Sequence, residues 1–346
     1  MPGPTYHGRR LSTMGRKQHE GERLTGRGRK ALVSSVHRGA FWKPCPGTTG
    51  GYRCCGYQIL TPLTGCGMYC RYCALHAYFS AQPQVVFENF DDLEREVGDR
   101  LKQWKGVVRF GTGEFADSLY LEARLGLSAA VSRLLQPYPN VLVEFKTKSD
   151  NIGTLDAITD PGKVVIGFSL NTPRMIRAHE RDTASLTRRL EAARRCEEMG
   201  FWVSFHFDPM IFYPQWEEEY RRVVRRVFET LHDSGRIAWW SLGGLRAVPE
   251  LKKQLMSRNR HRALFSGEMI RGEDGKLRYV RPIREEFYAA VREEVDDHDA
   301  ATTLYLCMES PEVWKRSGLE PRIPHGLKNY LDRRAEGMLG LVPTGG

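Results

Sequence analysis

From residue 56 to residue 308 the chain alternates short apolar, β-rich runs with longer stretches in which apolar residues recur at three- and four-residue spacing. The runs Gly56–Leu60, Val107–Gly111, Val141–Lys146, Lys163–Leu170, Phe201–Phe207, Ile237–Leu242 and Thr303–Met308 read as strands. The stretches near Phe90–Trp104, Leu119–Gln136, Ser185–Met199, Gln215–Leu231 and Arg284–Asp296 read as helices. In the fourth of these, Trp216, Tyr220, Val223, Val224, Val227, Phe228 and Leu231 form one stripe opposite Glu217, Glu218, Arg221, Arg222, Arg225 and Arg226, the pattern of core packing. Strands that are apolar throughout are buried on both faces, so the alternation implies an α/β fold, a parallel sheet covered by helices. The number of repeats predicts a partial (β/α) barrel of about six to seven parallel strands, with chemistry at the C-terminal strand ends. A doubly wound open sheet fits the same alternation, because strand order is not legible in one sequence.

With 346 residues, 41% apolar and 10% aromatic, the chain can bury a sizeable core and is not of the disordered or collagen-like type. No apolar run approaches the roughly 18 residues of a membrane span, and the N-terminus lacks the apolar stretch of a secretory signal. The expectation is a cytoplasmic protein without membrane partners. In a reducing compartment its eight cysteines suit metal ligation, redox chemistry or burial better than a disulfide framework.

The net charge of +10 is unevenly placed, since residues 1–43 hold ten Lys or Arg and two acids, a net +8. The expected organisation is a basic, flexible arm over 1–43, a barrel over 44–310 and a C-terminal tail over 311–346. Residues 246–282 interrupt the barrel rhythm with a basic stretch, then Glu268–Arg271 and Lys276–Val280 flanking Asp274–Gly275, which reads as a β-hairpin. Arm and excursion suit contact with nucleic-acid phosphates, or are solvated surface.

The densest signal is Thr64-Gly65-Cys66-Gly67-Met68-Tyr69-Cys70-Arg71-Tyr72-Cys73, with three cysteines at C-x3-C-x2-C spacing after the first predicted strand. Short spacings on a glycine-containing loop let thiolates converge on an iron–sulfur cluster, and three thiolates leave one iron of a four-iron cluster open. Two other readings stay open: a closed zinc site of Cys66, Cys70, Cys73 and His76, and a redox dithiol of Cys70 and Cys73.

The loop, with Tyr72 before its last cysteine, resembles the signature of radical S-adenosylmethionine enzymes. The stretches 54–59, 145–151, 167–171, 205–210 and 241–246, in that order and spacing, resemble the spore photoproduct lyase family over about residues 45–315. The resemblance implies a barrel of radical S-adenosylmethionine type, a [4Fe–4S] cluster on Cys66, Cys70 and Cys73, and S-adenosylmethionine chelating the open iron. It implies reductive cleavage to a 5′-deoxyadenosyl radical, fed by an electron donor and acting on a nucleic acid, DNA first, as in DNA photoproduct repair. It also implies roles at successive strand ends: Glu114 for the cofactor's amino group, Lys148 for its carboxylate, and Ser169 and Asn171 for its carboxylate or ribose. His206 and Asp208 either line the pocket or serve the interior.

The chain departs from that family at two positions. The family's hydrogen-donating cysteine near the end of the second strand is missing from Val108–Ser118, and Ala74 stands where a tyrosine would follow the last cluster cysteine. The candidate catalytic residues are therefore Tyr72, which keeps the aromatic pattern, and Cys307, which ends the last predicted strand and is placed there to reach a pocket. The expected activity is a lyase of the DNA photoproduct type. The alternatives are the same radical chemistry on RNA or a peptide, and a zinc-containing nucleic-acid-binding protein without catalysis.

Overall fold

The computed structural model describes residues 5–6, 9–10, 31–47, 50–79, 83–257, 262–265 and 268–341. Its principal sheet has eight strands: β1 (Trp42–Pro44), β2 (Gln58–Leu60), β3 (Val108–Gly111), β4 (Val141–Thr147), β5 (Val164–Ser169), β6 (Trp202–Met210), β7 (Ile237–Gly244) and β8 (Leu304–Leu306). They lie side by side in chain order, with β1 antiparallel to β2 and every other neighbouring pair parallel. A doubly wound sheet reverses its order at a switch point. The sequential order excludes that alternative and gives a half-barrel of seven parallel strands with one antiparallel edge.

The curl can be read from one side chain. Glu144 on β4 accepts hydrogen bonds from Tyr57 Oη (2.7 Å), just before β2, from Ser204 Oγ (2.5 Å) on β6 and from Trp239 Nε1 (3.0 Å) on β7. In a flat sheet β4 and β7 would stand about 14 Å apart, beyond the reach of one carboxylate. The strands therefore wrap around Glu144, which lies on the concave face. Gly167 on the intervening β5 makes the meeting possible. A Cβ there would fall 2.9 Å from Glu144 Oε1 and from Ser204 Oγ.

Helices α1 (Phe90–Leu101), α2 (Leu127–Leu135), α3 (Leu186–Glu198), α4 (Trp216–Thr230) and α5 (Arg281–Asp299) correspond to the five expected helices. Helix α4 buries Trp216, Tyr220, Val223, Val224 and Val227 of the expected stripe, with Phe228 and Leu231 partly buried, and each buried valine is worth roughly 1.5–3 kcal/mol when withdrawn from water. Its first turn carries Glu217, Glu218 and Glu219, which complement the helix dipole. The single helix expected over Leu119–Gln136 is divided. Gly126 adopts φ +58 and separates the turn Glu122–Leu125 from α2, a conformation a side chain would resist.

Both expected flanking units need correction. Most of residues 1–30 lie outside the described residues, but Leu32–Ser35 forms a strand parallel to Gln84–Phe87, and Phe41 and Trp42 are buried in the main core. The arm thus gives way to folded structure before residue 43, because Leu32, Phe41 and Trp42 bring large apolar side chains to the core clusters. The segment 311–346 is no loose tail either: Trp314, Leu319, Leu327 and Leu331 belong to the same core. Its helix α6 (Leu327–Met338) closes the N-terminal mouth of the half-barrel. Asp332 pairs with Arg109 on β3 (2.9 Å), while Arg334, two residues on, donates to the Ile237 carbonyl at the start of β7 (2.7 Å). The expected hairpin is present as Met269–Arg271 paired antiparallel with Leu277–Tyr279, and Arg246–Ala247 adds a third strand.

Candidate active site

A cavity of about 670 Å³ opens at the C-terminal ends of the strands, within the range of ligand pockets. Its wall brings together Cys66, Cys70, Tyr72 and Cys73 from the cysteine loop, Glu114 after β3, Lys146 and Lys148 at the end of β4, Ser169 at the end of β5 and Cys307 after β8. Of the expected site residues, only Asn171 is not among the lining residues. Its amide donates to the Pro209 carbonyl (3.1 Å) and accepts from Thr172 N and Tyr220 Oη, so it braces the backbone beyond β5.

The cysteine loop is held from three sides. Leu63–Thr64 pairs with Gln84–Phe87, and Tyr69–Cys70 pairs with Glu180–Arg181. The Cys73 amide donates to the Cys70 carbonyl at 3.0 Å, turning the last thiol back toward the others. Gly67 lies against Tyr120: a Cβ there would fall 2.4 Å from its ring. Tyr72 lines the cavity, but its hydroxyl donates to Glu180. Glu180 pairs with Arg189 (2.6 Å), both side chains fully buried, and Arg189 donates to the Ser169 carbonyl (2.7 Å). This chain of contacts fixes the loop to the end of β5, and it gives Tyr72 an anchoring role.

Burial pushes the Cys66 thiol up to about 12, assisted by the Asp117 charge and the neighbouring Cys73, and pushes Cys70 well above its ordinary value against the pull of Lys148. Such thiols release their protons only to a strong acceptor of thiolate such as a metal. A closed zinc site requires Zn–S contacts of about 2.3 Å around a single point. Among the described residues no three His, Cys, Asp or Glu side chains converge to hold one metal ion. The His76 ring stacks on Tyr69, centroids 5.5 Å apart. Three mutually coupled thiols facing one cavity are instead a soft donor set that fits an iron–sulfur cluster, which is wider than one ion.

The charges in the cavity divide into two groups. Both carboxylate oxygens of Asp208 accept from one guanidinium nitrogen of Arg246 (2.7 and 2.6 Å), and Glu144 accepts from His206 Nε2 (2.7 Å). Burial alone would raise the Glu144 carboxyl, but the His206 charge and the bonds from His206, Ser204 and Tyr57 outweigh it and hold it at about 2. His206 is thus a satisfied interior histidine at the cavity floor. By contrast, Glu114, Lys146 and Lys148 make no side-chain hydrogen bond or ion pair among the described residues. The Lys148 ammonium lies 6.0 Å from the centroid of the Tyr72 ring.

Cys307 lies beside the Asp208–Arg246 pair, its carbonyl accepting from Arg246 (2.6 Å) and its sulfur 3.8 Å from the same guanidinium. Burial pushes this thiol up to about 12 despite that cation. Cys45 and Cys55 line the same cavity and couple electrostatically to it. Sequence reasoning missed Glu144, Lys146 and the Glu180–Arg189 pair. The first two had a signal: Glu144, Lys146 and Lys148 alternate along an otherwise apolar strand, the spacing that places all three on one face.

A sequential half-barrel that presents a C-x3-C-x2-C loop to a cavity at its C-terminal mouth has the architecture of radical S-adenosylmethionine enzymes. The sequence profile of the spore photoproduct lyase family matches residues 54–238, and the chain belongs to that family. The spore photoproduct lyase of Clostridium acetobutylicum is 27% identical over 208 residues, 60% of each chain. That of Bacillus subtilis (strain 168) is 24% identical over 172 residues, 47% of this chain and 48% of the relative. The aligned part therefore spans only about half to three fifths of these relatives. A solved spore photoproduct lyase with bound AdoMet and dinucleoside spore photoproduct superposes with TM-score 0.70 at 20% identity, covering 80% of this chain and 82% of the other. Streptococcus suis SuiB bound to S-adenosylmethionine shares the fold more distantly, with TM-score 0.50 at 12% identity over 78% of this chain and 55% of the other.

Proposed function

We propose that this chain is a radical S-adenosylmethionine enzyme that acts on a photoproduct in DNA. The observation that carries the reading is the meeting, in one cavity, of the three loop thiols with Glu114, Lys148 and Ser169. Cys66, Cys70 and Cys73 would hold a [4Fe–4S] cluster, three thiolates for its four irons. When bound, cluster and S-adenosylmethionine supply hydrogen-atom abstraction from a C–H bond. Glu114 would accept hydrogen bonds from the cofactor's amino group, Lys148 would donate to its carboxylate, and the Ser169 hydroxyl would reach the carboxylate or ribose. The solved relative that holds AdoMet together with dinucleoside spore photoproduct supports both cofactor and substrate class.

Cys307 is the hydrogen-atom donor in place of the cysteine that Val108–Ser118 lacks. It faces the cavity, and burial keeps its S–H bond intact at neutral pH. DNA is approached by the basic arm and by the hairpin, whose Lys276 lines the cavity. A one-electron donor is the second partner. We place the protein in the cytoplasm, where its eight cysteines would stay reduced. No helix among the described residues is long and apolar enough to cross a membrane.

Anaerobic reconstitution tests the reading. The protein should turn brown with about four irons per chain and, when reduced, cleave S-adenosylmethionine with turnover that depends on ultraviolet-irradiated DNA. A colourless protein with one tightly held zinc, or an intact cluster that cleaves nothing, would sink it.

A further inference from the structure

Among the described residues Glu114, Lys146 and Lys148 face the cavity without an ion pair, two cations and one acid, whereas S-adenosylmethionine offers a single anionic group, its carboxylate, beside its amino group and its sulfonium. On the reading proposed above, Glu114 takes the amino group and Lys148 the carboxylate, and Lys146 remains. We propose that Lys146 binds an oxygen of the substrate, a phosphate or pyrimidine carbonyl oxygen, and so positions the photoproduct beside Cys307.

The ammonium of Lys146 is built into the site. Lys146 is partly buried at the end of β4, and Gly113 opposite leaves it room, since a Cβ there would fall 3.0 Å from Lys146 Cβ. Burial favours the neutral amine, but Glu114, Asp208 and Glu144 outweigh it and keep the group charged. A charged donor removed from bulk water without an acceptor is unfavourable, and a ligand oxygen removes that cost.

The two lysines have different neighbours. Lys148 lies 6.0 Å from the Tyr72 ring centroid and couples to the thiol of Cys70, a cluster ligand on the reading above. Lys146 couples first to Glu114 and then to Asp208, Glu144 and Cys307, with no cluster thiol among them, so its ammonium stands between the cofactor's amino end and the thiol of Cys307. An oxygen acceptor on the substrate matches that position. A dinucleotide photoproduct carries two kinds, the bridging phosphate and the base carbonyls.

The test compares the reconstituted parent with Lys146→Met and Lys146→Arg. Binding of S-adenosylmethionine is measured alongside binding of the spore-photoproduct dinucleotide and of the phosphate-free dinucleoside. Lys146→Met should keep its iron and its S-adenosylmethionine affinity while binding the dinucleotide about tenfold or more weakly, and Lys146→Arg should recover most of the loss. If the contact is to phosphate, the dinucleoside will bind parent and Lys146→Met alike; if to a carbonyl, it will lose affinity as the dinucleotide does. Unchanged dinucleotide affinity overturns the proposal. So does an equal fall in S-adenosylmethionine affinity, which would give this ammonium to the cofactor. A parent that binds no S-adenosylmethionine but still shows the lysine-dependent dinucleotide contact would refute the cofactor reading and leave this one standing.

Discussion

Glu144 and His206 meet at 2.7 Å although a whole strand, β5, separates the strands that carry them. The contact is possible because Gly167, on that strand, has no side chain to stand between them. Carboxylate and imidazole thereby form the floor of the cavity and fix the curvature of the sheet above which the loop thiols stand.

Acid stability should report this pair. The Glu144 carboxyl is held at about 2 against 4.5 for an ordinary glutamate. A carboxyl depressed in the folded state contributes stability that is complete above its unfolded value and disappears as pH falls through the folded one. The contribution is therefore lost between about 4.5 and about 2. Glu144→Gln should lower the urea midpoint at neutral pH and flatten its decline through that window. Parallel pH profiles for parent and variant would show that another group governs acid unfolding.

Gly167→Ala tests the same geometry from the other side. The added methyl would press on Glu144, Ser204 and His206 at about 3 Å, and overpacking of this kind costs about 1–3 kcal/mol. Thermal unfolding should fall accordingly. A variant as stable as the parent would mean that the floor can shift aside.

Cys70→Ala should lose both the brown colour and S-adenosylmethionine cleavage, measured by iron content and by chromatography of 5′-deoxyadenosine. Cys307→Ala should keep both and change the distribution of repaired and aberrant products. Parent-like products from Cys307→Ala would remove this thiol from the reaction and direct attention to Cys45 and Cys55 on the same wall.

Tyr72→Phe separates anchoring from chemistry. It removes the hydroxyl that donates to Glu180 while keeping the ring beneath Lys148. Loss of about 1 kcal/mol of stability is expected, with the cluster retained and cofactor cleavage close to that of the parent. A collapse of turnover with unchanged stability would restore Tyr72 to a catalytic role.

Asp332→Ala leaves the buried guanidinium of Arg109 without its carboxylate. Removing one partner of a buried pair typically costs about 3 kcal/mol, so the unfolding midpoint should drop well beyond the effect of an exposed substitution such as Asp99→Ala. Similar midpoints for the two variants would show that α6 holds by apolar packing alone.

The parallel strands were legible because apolar runs such as Val164–Ser169 are buried on both faces, and the helices because stripes such as that of α4 repeat at helical spacing. The cluster loop was legible because its ligands are close in sequence. Glu180 and Arg189 were not: they act on Tyr72 from more than a hundred residues away, and nothing local distinguishes them from surface charges. Asn171 was misplaced for a related reason. Alternation would put it on the face of Ser169, but β5 ends at Ser169, and beyond the strand end the rule no longer fixes direction. The boundaries at 43 and 311 followed charge and rhythm, whereas folded structure follows where Phe41, Trp42 and Trp314 find cover.

Helix α6 emerges during synthesis only after all eight strands have been made. Domains generally fold as units, and Leu327 and Leu331 belong to the same core as the strands, so the opening beneath Glu144 is sealed only once the last segment of the chain is available. A chain that ends before residue 327 would leave the buried Arg109 guanidinium without Asp332 and its N-terminal mouth open to water.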